Sequence, residues 1–335
     1  TLVSLSRRTV AGLITTSGRQ FRDWSADYRL LAQERVDPDA LFGELRRGIV
    51  HDLPQNRPLL VAMDDSVSRK KGRLVPGTAW RRDPMSPPFQ ANLIWGRRFI
   101  QLSAVVPGQG EGAPSRSIPN DFVHAPTPKR PPRAADAKAW ACFRQASREH
   151  TLARQAVERL HLLRAELDDE GATHRPLWVA ADGSYTNGTI LKHLPAATTM
   201  IGRIRRDAQL HPLPPARAAG TKGRTRRYDT STTTPDQVRT DERVPWQTAS
   251  VYAAGAVHQM RFKTVSPLLW RTAGSARPLR LVVIAPLAYR LSRSSKLLYR
   301  NPAFLICTDP EAPVDEILKA YVSRWDIEVN FRDEK

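Results

Sequence analysis

Residues 321–335 read YVSRWDIEVNFRDEK, and their spacing predicts one continuous helix. At about 100° per residue, Tyr321, Arg324, Glu328 and Lys335 fall within an arc of roughly 60°. Leu318, Val322, Trp325 and Val329 flank that stripe on one side, and Ala320, Ile327 and Phe331 on the other. Lys319, Ser323, Asp326, Asn330 and Asp333 take the opposite face, where solvent belongs. An acid, two bases and a phenol are thus aimed between two apolar flanks. Burying charge there is costly unless it is paired or meets a charged partner. Two readings stand: the helix holds an ionic ligand, or Glu328 closes a structural ion-pair network with Arg324 and Arg332, each four residues away.

Composition favours the first. The chain has 335 residues, with Lys+Arg of 52 against Asp+Glu of 33 and a formal net charge of +19. The sequence pI is near 10.7. A globular chain this basic is expected to meet a polyanion, nucleic acid first, with a membrane surface or plain cationic solubility as the blander alternatives. No segment reaches the roughly 18 apolar residues of a membrane span, and the start has no signal-peptide core. Cys142 and Cys307 make no disulfide framework, and there is no CxxC or HExxH to hold zinc. This usage fits a reducing compartment. The chain opens at Thr1 and stops at Lys335 inside the predicted helix, which reads as a fragment of a longer protein.

Working back from the helix, the N-terminal residues 1–57 read as helical, with apolar spacing over residues 19–33 and Asp37-Pro38 starting another helix. Residues 59–63 form a short apolar run suited to a buried strand that ends at Asp64-Asp65. Residues 69–88 and 107–132 read as loops, and residues 91–106 as a hairpin around Gly96. Residues 134–167 are helical with a break near Ser147. A second buried strand, residues 177–181, ends in Asp182-Gly183. A short helix over 189–194 and a strand over 199–204 follow. From Arg205 to about Arg280 the composition is basic, irregular and rich in Pro, Gly and Thr; residues 281–285 and 303–307 are further strands. Acids at two strand ends, in alternating α and β elements, argue an α/β sheet flanked by helices.

Open α/β sheets place their sites at the carboxyl ends of strands. Each aspartate alone also reads as a turn former or helix cap. Together with Glu328 they make an all-oxygen donor set of the kind Mg²⁺ or Mn²⁺ uses. Two such ions clamp the attacking and leaving oxygens of a phosphoryl displacement.

Tyr321, Arg324, Glu328 and Lys335, the AMDDS of residues 62–66 and the ADGSYTN of residues 181–187 together resemble the DDE transposases of bacterial insertion sequences. The branch in question bears a Tyr-(2)-Arg-(3)-Glu-(6)-Lys signature, and the likeness covers roughly residues 20–335. It implies an RNase H-like mixed sheet flanked by helices, with an N-terminal helical region and a β-rich insertion before the last catalytic helix. The implied parts are a helical region 1–57, a first part of the catalytic core 58–206, a basic β-rich insertion 207–312 and a truncated final helix 313–335. Asp65, Asp182 and Glu328 would be the catalytic acids and the ligands of two Mg²⁺ or Mn²⁺ ions. Ser66 stands where the family has Thr, which leaves Asp64 as an alternative to Asp65. Tyr321, Arg324 and Lys335 would grip phosphates of the DNA end.

Arg203, Arg205, Arg206, Lys222, Arg224, Arg226 and Arg227, with Tyr228 beside them, suit phosphate contact without sequence reading, or else residues 220–227 form a disordered, solvated loop. Trp270 reads either as core or as a platform for a base. The resemblance further implies double-stranded DNA with terminal inverted repeats and a target DNA as partners, a homodimer on DNA, no membrane, and a bacterial cytoplasmic, nucleoid-associated setting. The expected activity is cutting and joining of DNA. The alternatives are a catalytically inactive DNA-binding descendant and a plain nuclease of the same fold.

Overall fold

The computed structural model describes residues 9–334 apart from 34, 36, 73, 84, 85, 88, 91, 109–112, 217–222, 254, 291, 293 and 294. The chain divides into two compact units, Thr1–Leu45 and Arg46–Lys335. The helices α1 (Val10–Thr16), α2 (Ser25–Ala32) and α3 (Pro38–Asp52) come first. The Thr9 hydroxyl caps α1 by accepting from the Gly12 N–H at 3.1 Å. Asp37 starts α3 by accepting from the Asp39 N–H at 3.0 Å.

The next elements are β1 (Leu59–Arg69), β2 (Ala79–Arg82), β3 (Leu93–Val106), β4 (Arg116–His124), α4 (Ala137–Glu149) and α5 (Leu152–Asp169). They are followed by β5 (Leu177–Ala181), α6 (Gly188–Lys192), β6 (Thr198–Arg203), β7 (Leu210–Pro212) and α7 (Pro235–Thr240). The last are β8 (Gln247–Ala253), β9 (Ala256–Trp270), β10 (Gly274–Ile284), β11 (Ala288–Tyr289), β12 (Leu298–Tyr299), β13 (Ala303–Cys307), α8 (Val314–Ser323) and α9 (Asp326–Glu334).

One mixed sheet organises the second unit. Its centre runs β4-β3-β1-β5-β6. β1, β5 and β6 are mutually parallel, and β3 is antiparallel to both β1 and β4. This α/β arrangement is broadly consistent with an RNase H-like fold. β5 lies between two parallel strands with helices on both faces, which is why its sequence, LWVAA, is apolar throughout. On one face Leu59, Val61 and Met63 of β1 pack with Leu160, Leu163 and Leu167 of α5 and with Ile190 of α6. On the other, Val282, Leu305 and Cys307 meet Ile317 and Leu318 of α8, and Ala62 meets Ile327 and Phe331 of α9. Each buried Leu, Ile or Phe contributes about 1.5–3 kcal/mol, so both helical layers are firmly seated.

The interval between Asp182 and the last helices holds β6 to β13 besides the short α6 and α7. β13 pairs with β6, β10 with β13, and β9 with β10, so these strands widen the central sheet. The irregular reading from composition is corrected for residues 247–280.

Other local expectations are corrected as well. β1 does not end at the aspartate pair; it runs on to Arg69 because Ser66, Val67 and Ser68 keep pairing with β3. Nor does β3 turn at Gly96. That glycine lies inside the continuous strand, where a Cβ would come 2.5 Å from the Ser68 carbonyl oxygen. The two proline-rich stretches expected as loops contain β2 and β4. Pro119 is accommodated in β4 beside a register shift, where a ladder N–H is dispensable. The helix break expected near Ser147 falls at His150-Thr151, where Thr151 caps α5 through the Arg154 N–H.

The largest correction concerns the final helix. It is not continuous: α8 ends at Ser323 and α9 begins at Asp326. Between them Trp325, Ile327 and Glu328 donate to the carbonyls of Val322, Arg324 and Trp325, three residues back each time. This tighter turn rotates α9 relative to the predicted stripe. Asp326 and Asn330, expected in solvent, face the sheet instead: Asp326 accepts from Ser115, and Asn330 donates to the Ser117 carbonyl at 3.1 Å. Buried Ser103 donates to Asn330 at 3.3 Å. Polar groups on β3 and at the start of β4 need such partners, and Trp325 and Val329 are left 51% and 44% exposed.

Candidate active site

β1 and β5 are in register from Leu59↔Leu177 to Met63↔Ala181. One step further along, Asp64 on β1 stands level with Asp182, the first residue after β5. Because side chains alternate along a strand, Asp64 and Asp65 leave opposite faces of the sheet. Asp64 faces the last helices, where its Oδ2 receives the Arg324 Nη1 at 3.1 Å and its Oδ1 the Asp65 N–H at 2.8 Å. Asp65 faces the α5 side. Its Oδ1 accepts from the Tyr185 hydroxyl at 2.9 Å, and its Oδ2 lies 3.2 Å from Arg98 Nε. Asp182 is fixed by its own loop, accepting from the Ser184 N–H at 2.8 Å and the Ser184 hydroxyl at 2.6 Å.

Burial dominates the electrostatics. It pushes the Asp64 carboxyl up to about 7, against the opposing Asp65 N–H and Arg324, with the Asp182 and Asp65 charges adding to the rise. Asp65 is raised above the ordinary range for the same first reason, with Arg98 and Tyr185 opposing and Asp182 assisting. Both β1 acids therefore feel the Asp182 charge, each from its own face of the sheet.

The backbone around Asp182 is tight. Thr186 donates to the Asp182 carbonyl at 3.0 Å. Gly202 on β6 leaves the room for it, since a Cβ there would lie 2.1 Å from the Thr186 Oγ1. Tyr185, fully buried, is the rigid donor behind Asp65, and burial raises its phenol well above the usual range.

The signature residues separate. Arg324 is 5% exposed, pairs with Asp64 and stacks near the rings of Tyr321 and Trp325. Tyr321 is half-buried, and its phenol is raised by burial, with the Arg324 and Arg203 charges opposing. Glu328 is exposed in the first turn of α9 and makes no ion pair with Arg324. Lys335 lies outside the described residues. Among the described residues, no three His, Cys, Asp or Glu side chains are grouped to hold a metal ion.

Next to Asp182 opens a cleft of about 1110 Å³. Gly183, Asn187, Arg203, Arg206, Arg239 and Trp270 are among its lining residues. Trp270 is half-buried, so it serves the core and the cleft wall together. Arg224, Arg226 and Arg227 are exposed, and neighbouring Tyr228 packs on His211 and Arg271. Lys222 lies outside the described residues.

Arg98 and Tyr185 were not picked out from the sequence. The signal for Arg98 is its place two residues before Ile100, the register partner of Asp65, which puts it on the Asp65 face. That register exists only once β1 and β3 are paired.

A family model described as "DDE superfamily endonuclease" matches residues 1–260, which include both aspartate motifs. No curated protein matches the chain.

Proposed function

Because the chain belongs to the DDE superfamily endonuclease family, we propose that it is a DNA transposase, cutting the ends of a mobile element and joining them to target DNA. The observation that carries this reading is the meeting of Asp64 and Asp65 in β1 with Asp182 at the end of neighbouring β5, bracketed by Arg324 and Arg98. Water attacks a phosphodiester at the element's end, and the freed 3′ hydroxyl then attacks the target.

The donor chemistry of the three aspartates fits a hard divalent cation: oxygen ligands only, at a buried place where their charges repel. Asp65 and Asp182, with Asp64 as the alternative to Asp65, would hold Mg²⁺ or Mn²⁺, and Glu328 would complete a two-ion set. Bound ions would supply Lewis acidity and orient the nucleophile. The chain's own residues do the rest. Arg324 and Arg98 neutralise the carboxylates and present fork-shaped donors toward phosphate oxygens. Tyr185 and Ser184 fix the orientations of Asp65 and Asp182. The basic cleft beside Asp182 and the exposed Arg224, Arg226 and Arg227 draw DNA in without reading its sequence.

The partners on this reading are duplex DNA with terminal inverted repeats, target DNA and a second copy of the chain. The setting is the bacterial cytoplasm, at the nucleoid. No helix among the described residues is long and apolar enough to cross a membrane.

One observation favours a second reading, a DNA-binding descendant that no longer cuts: Glu328 is exposed and stands in no cluster with the aspartates. Incubating the chain with Mg²⁺ or Mn²⁺ and DNA bearing the inverted repeats that flank its coding region separates the two. Cutting that is lost in Asp182→Ala supports the transposase. Binding without any cutting supports the descendant.

A further inference from the structure

Asp65 has two arginines on its side of the sheet, from β2 and β3, although a single carboxylate neutralises only one of them. Arg98 makes the ion pair at 3.2 Å, yet its Nε has no hydrogen-bond partner. Arg81 is 7% exposed and its Nε is likewise buried without a partner. Its hydrogen bond to the Ala125 carbonyl, 3.5 Å long, is at the limit of the interaction. The nearby acid Asp83 pairs with Arg69. Burial and the Arg98 charge lower Arg81 to about 10, so it stays cationic at neutral pH.

Two like charges, one of them buried with an orphaned donor, are unfavourable unless an anion completes the group. The anion would meet the pair through Arg98, whose side chain is 29% exposed.

We propose that Arg81 and Arg98 form a phosphate site beside Asp65, taking one phosphodiester of the DNA strand on the face of the sheet opposite Arg324. The site rests on the nuclease reading only for the identity of its ligand as DNA. A guanidinium pair presents several N–H donors in fixed forks, which matches the oxygens of a phosphodiester. Arg324 on one face and Arg81 with Arg98 on the other would then straddle the aspartates, so that a strand is held on both sides of the bond to be cut.

The test is binding, in EDTA, of duplex DNA carrying the inverted-repeat end, so that it does not depend on cutting. Affinity is measured for the wild type, Arg98→Gln and Arg81→Gln on native DNA and on a series with single neutral methylphosphonates. The expected result is a loss of about tenfold or more for each variant. One methylphosphonate position should weaken the wild type and have no further effect on Arg98→Gln. If Arg81→Gln does not fold, Arg98→Gln and its coupling to that position decide alone. Unchanged affinity in a folded Arg98→Gln, or equal sensitivity at every methylphosphonate position, overturns the site. Should the wild type fail to cut with Mg²⁺ while the coupling is present, the nuclease reading falls and the phosphate site stands.

Discussion

Arg324 donates to Asp64 at 3.1 Å, joining the break between the last two helices to the middle of the first sheet strand. The two residues are 260 positions apart in sequence, and each is the other's main source of charge compensation. A continuous helix would have offered Glu328 as the partner. The bond to Asp64 instead ties the signature segment to the acids of the candidate site.

Removing Arg324 should therefore act through Asp64. Arg324→Ala leaves a mostly buried carboxyl without its counterion, a change that costs about 3–5 kcal/mol for fully buried pairs. Asp64 keeps some solvent contact and can take up a proton, so the loss should be smaller than that. Denaturant unfolding of both proteins measures it, and Glu328→Ala should by contrast leave stability within about 0.5 kcal/mol.

Asp64 also sets a pH dependence. In the folded, metal-free chain it holds its proton up to about pH 7, whereas the ordinary value for the free side chain is 3.8. Between those values the native state binds more protons than the unfolded one, so this group makes stability fall as pH rises through the window. Asp64→Asn should flatten that fall. Unfolding free energies at pH 5, 6 and 7 check it; parallel curves for variant and wild type would remove Asp64 as the cause.

Gly202 should be intolerant of the smallest side chain. A Cβ at 2.1 Å from Thr186 Oγ1 must push Thr186 away, and Thr186 braces the Asp182 carbonyl. Gly202→Ala is expected to cost about 1–3 kcal/mol from overpacking and to reduce cutting more than DNA binding. Equal melting temperatures would show that the loop yields freely.

The exposed arginines should show themselves in salt dependence. Each neutralised phosphate releases counterion, with a log–log slope near −0.9 per contact. Replacing Arg224, Arg226 and Arg227 together by Ala should reduce the slope by up to about 3. An unchanged slope would mean that these side chains remain in solvent when DNA binds.

The parts of this architecture that local patterns determine were legible in the sequence. The apolar run before Asp182 reads as a buried strand from its own residues, and Asp37-Pro38 marks a helix start by its own chemistry. What depends on pairing between distant segments was not. Ser66 to Ser68 extend β1 only because β3 lies alongside, and residues 256–284 become sheet strands only by meeting β13. The helix break follows the same rule: Asp326 and Asn330 look solvent-facing until Ser103, Ser115 and Ser117 are brought to them. For the candidate site, the sequence supplied the acids and Arg324, but the pairing of Arg324 with Asp64 and the arrival of Arg98 at Asp65 required the folded register.

Metal binding tests the aspartate centre most directly. Mn²⁺ is titrated into the wild type, Asp65→Asn and Asp182→Asn, and bound ion is followed by its paramagnetic resonance signal. An aspartate-built centre predicts saturable binding by the wild type, weakened tenfold or more in each variant whose fold is intact. Identical isotherms for all three proteins would contradict it.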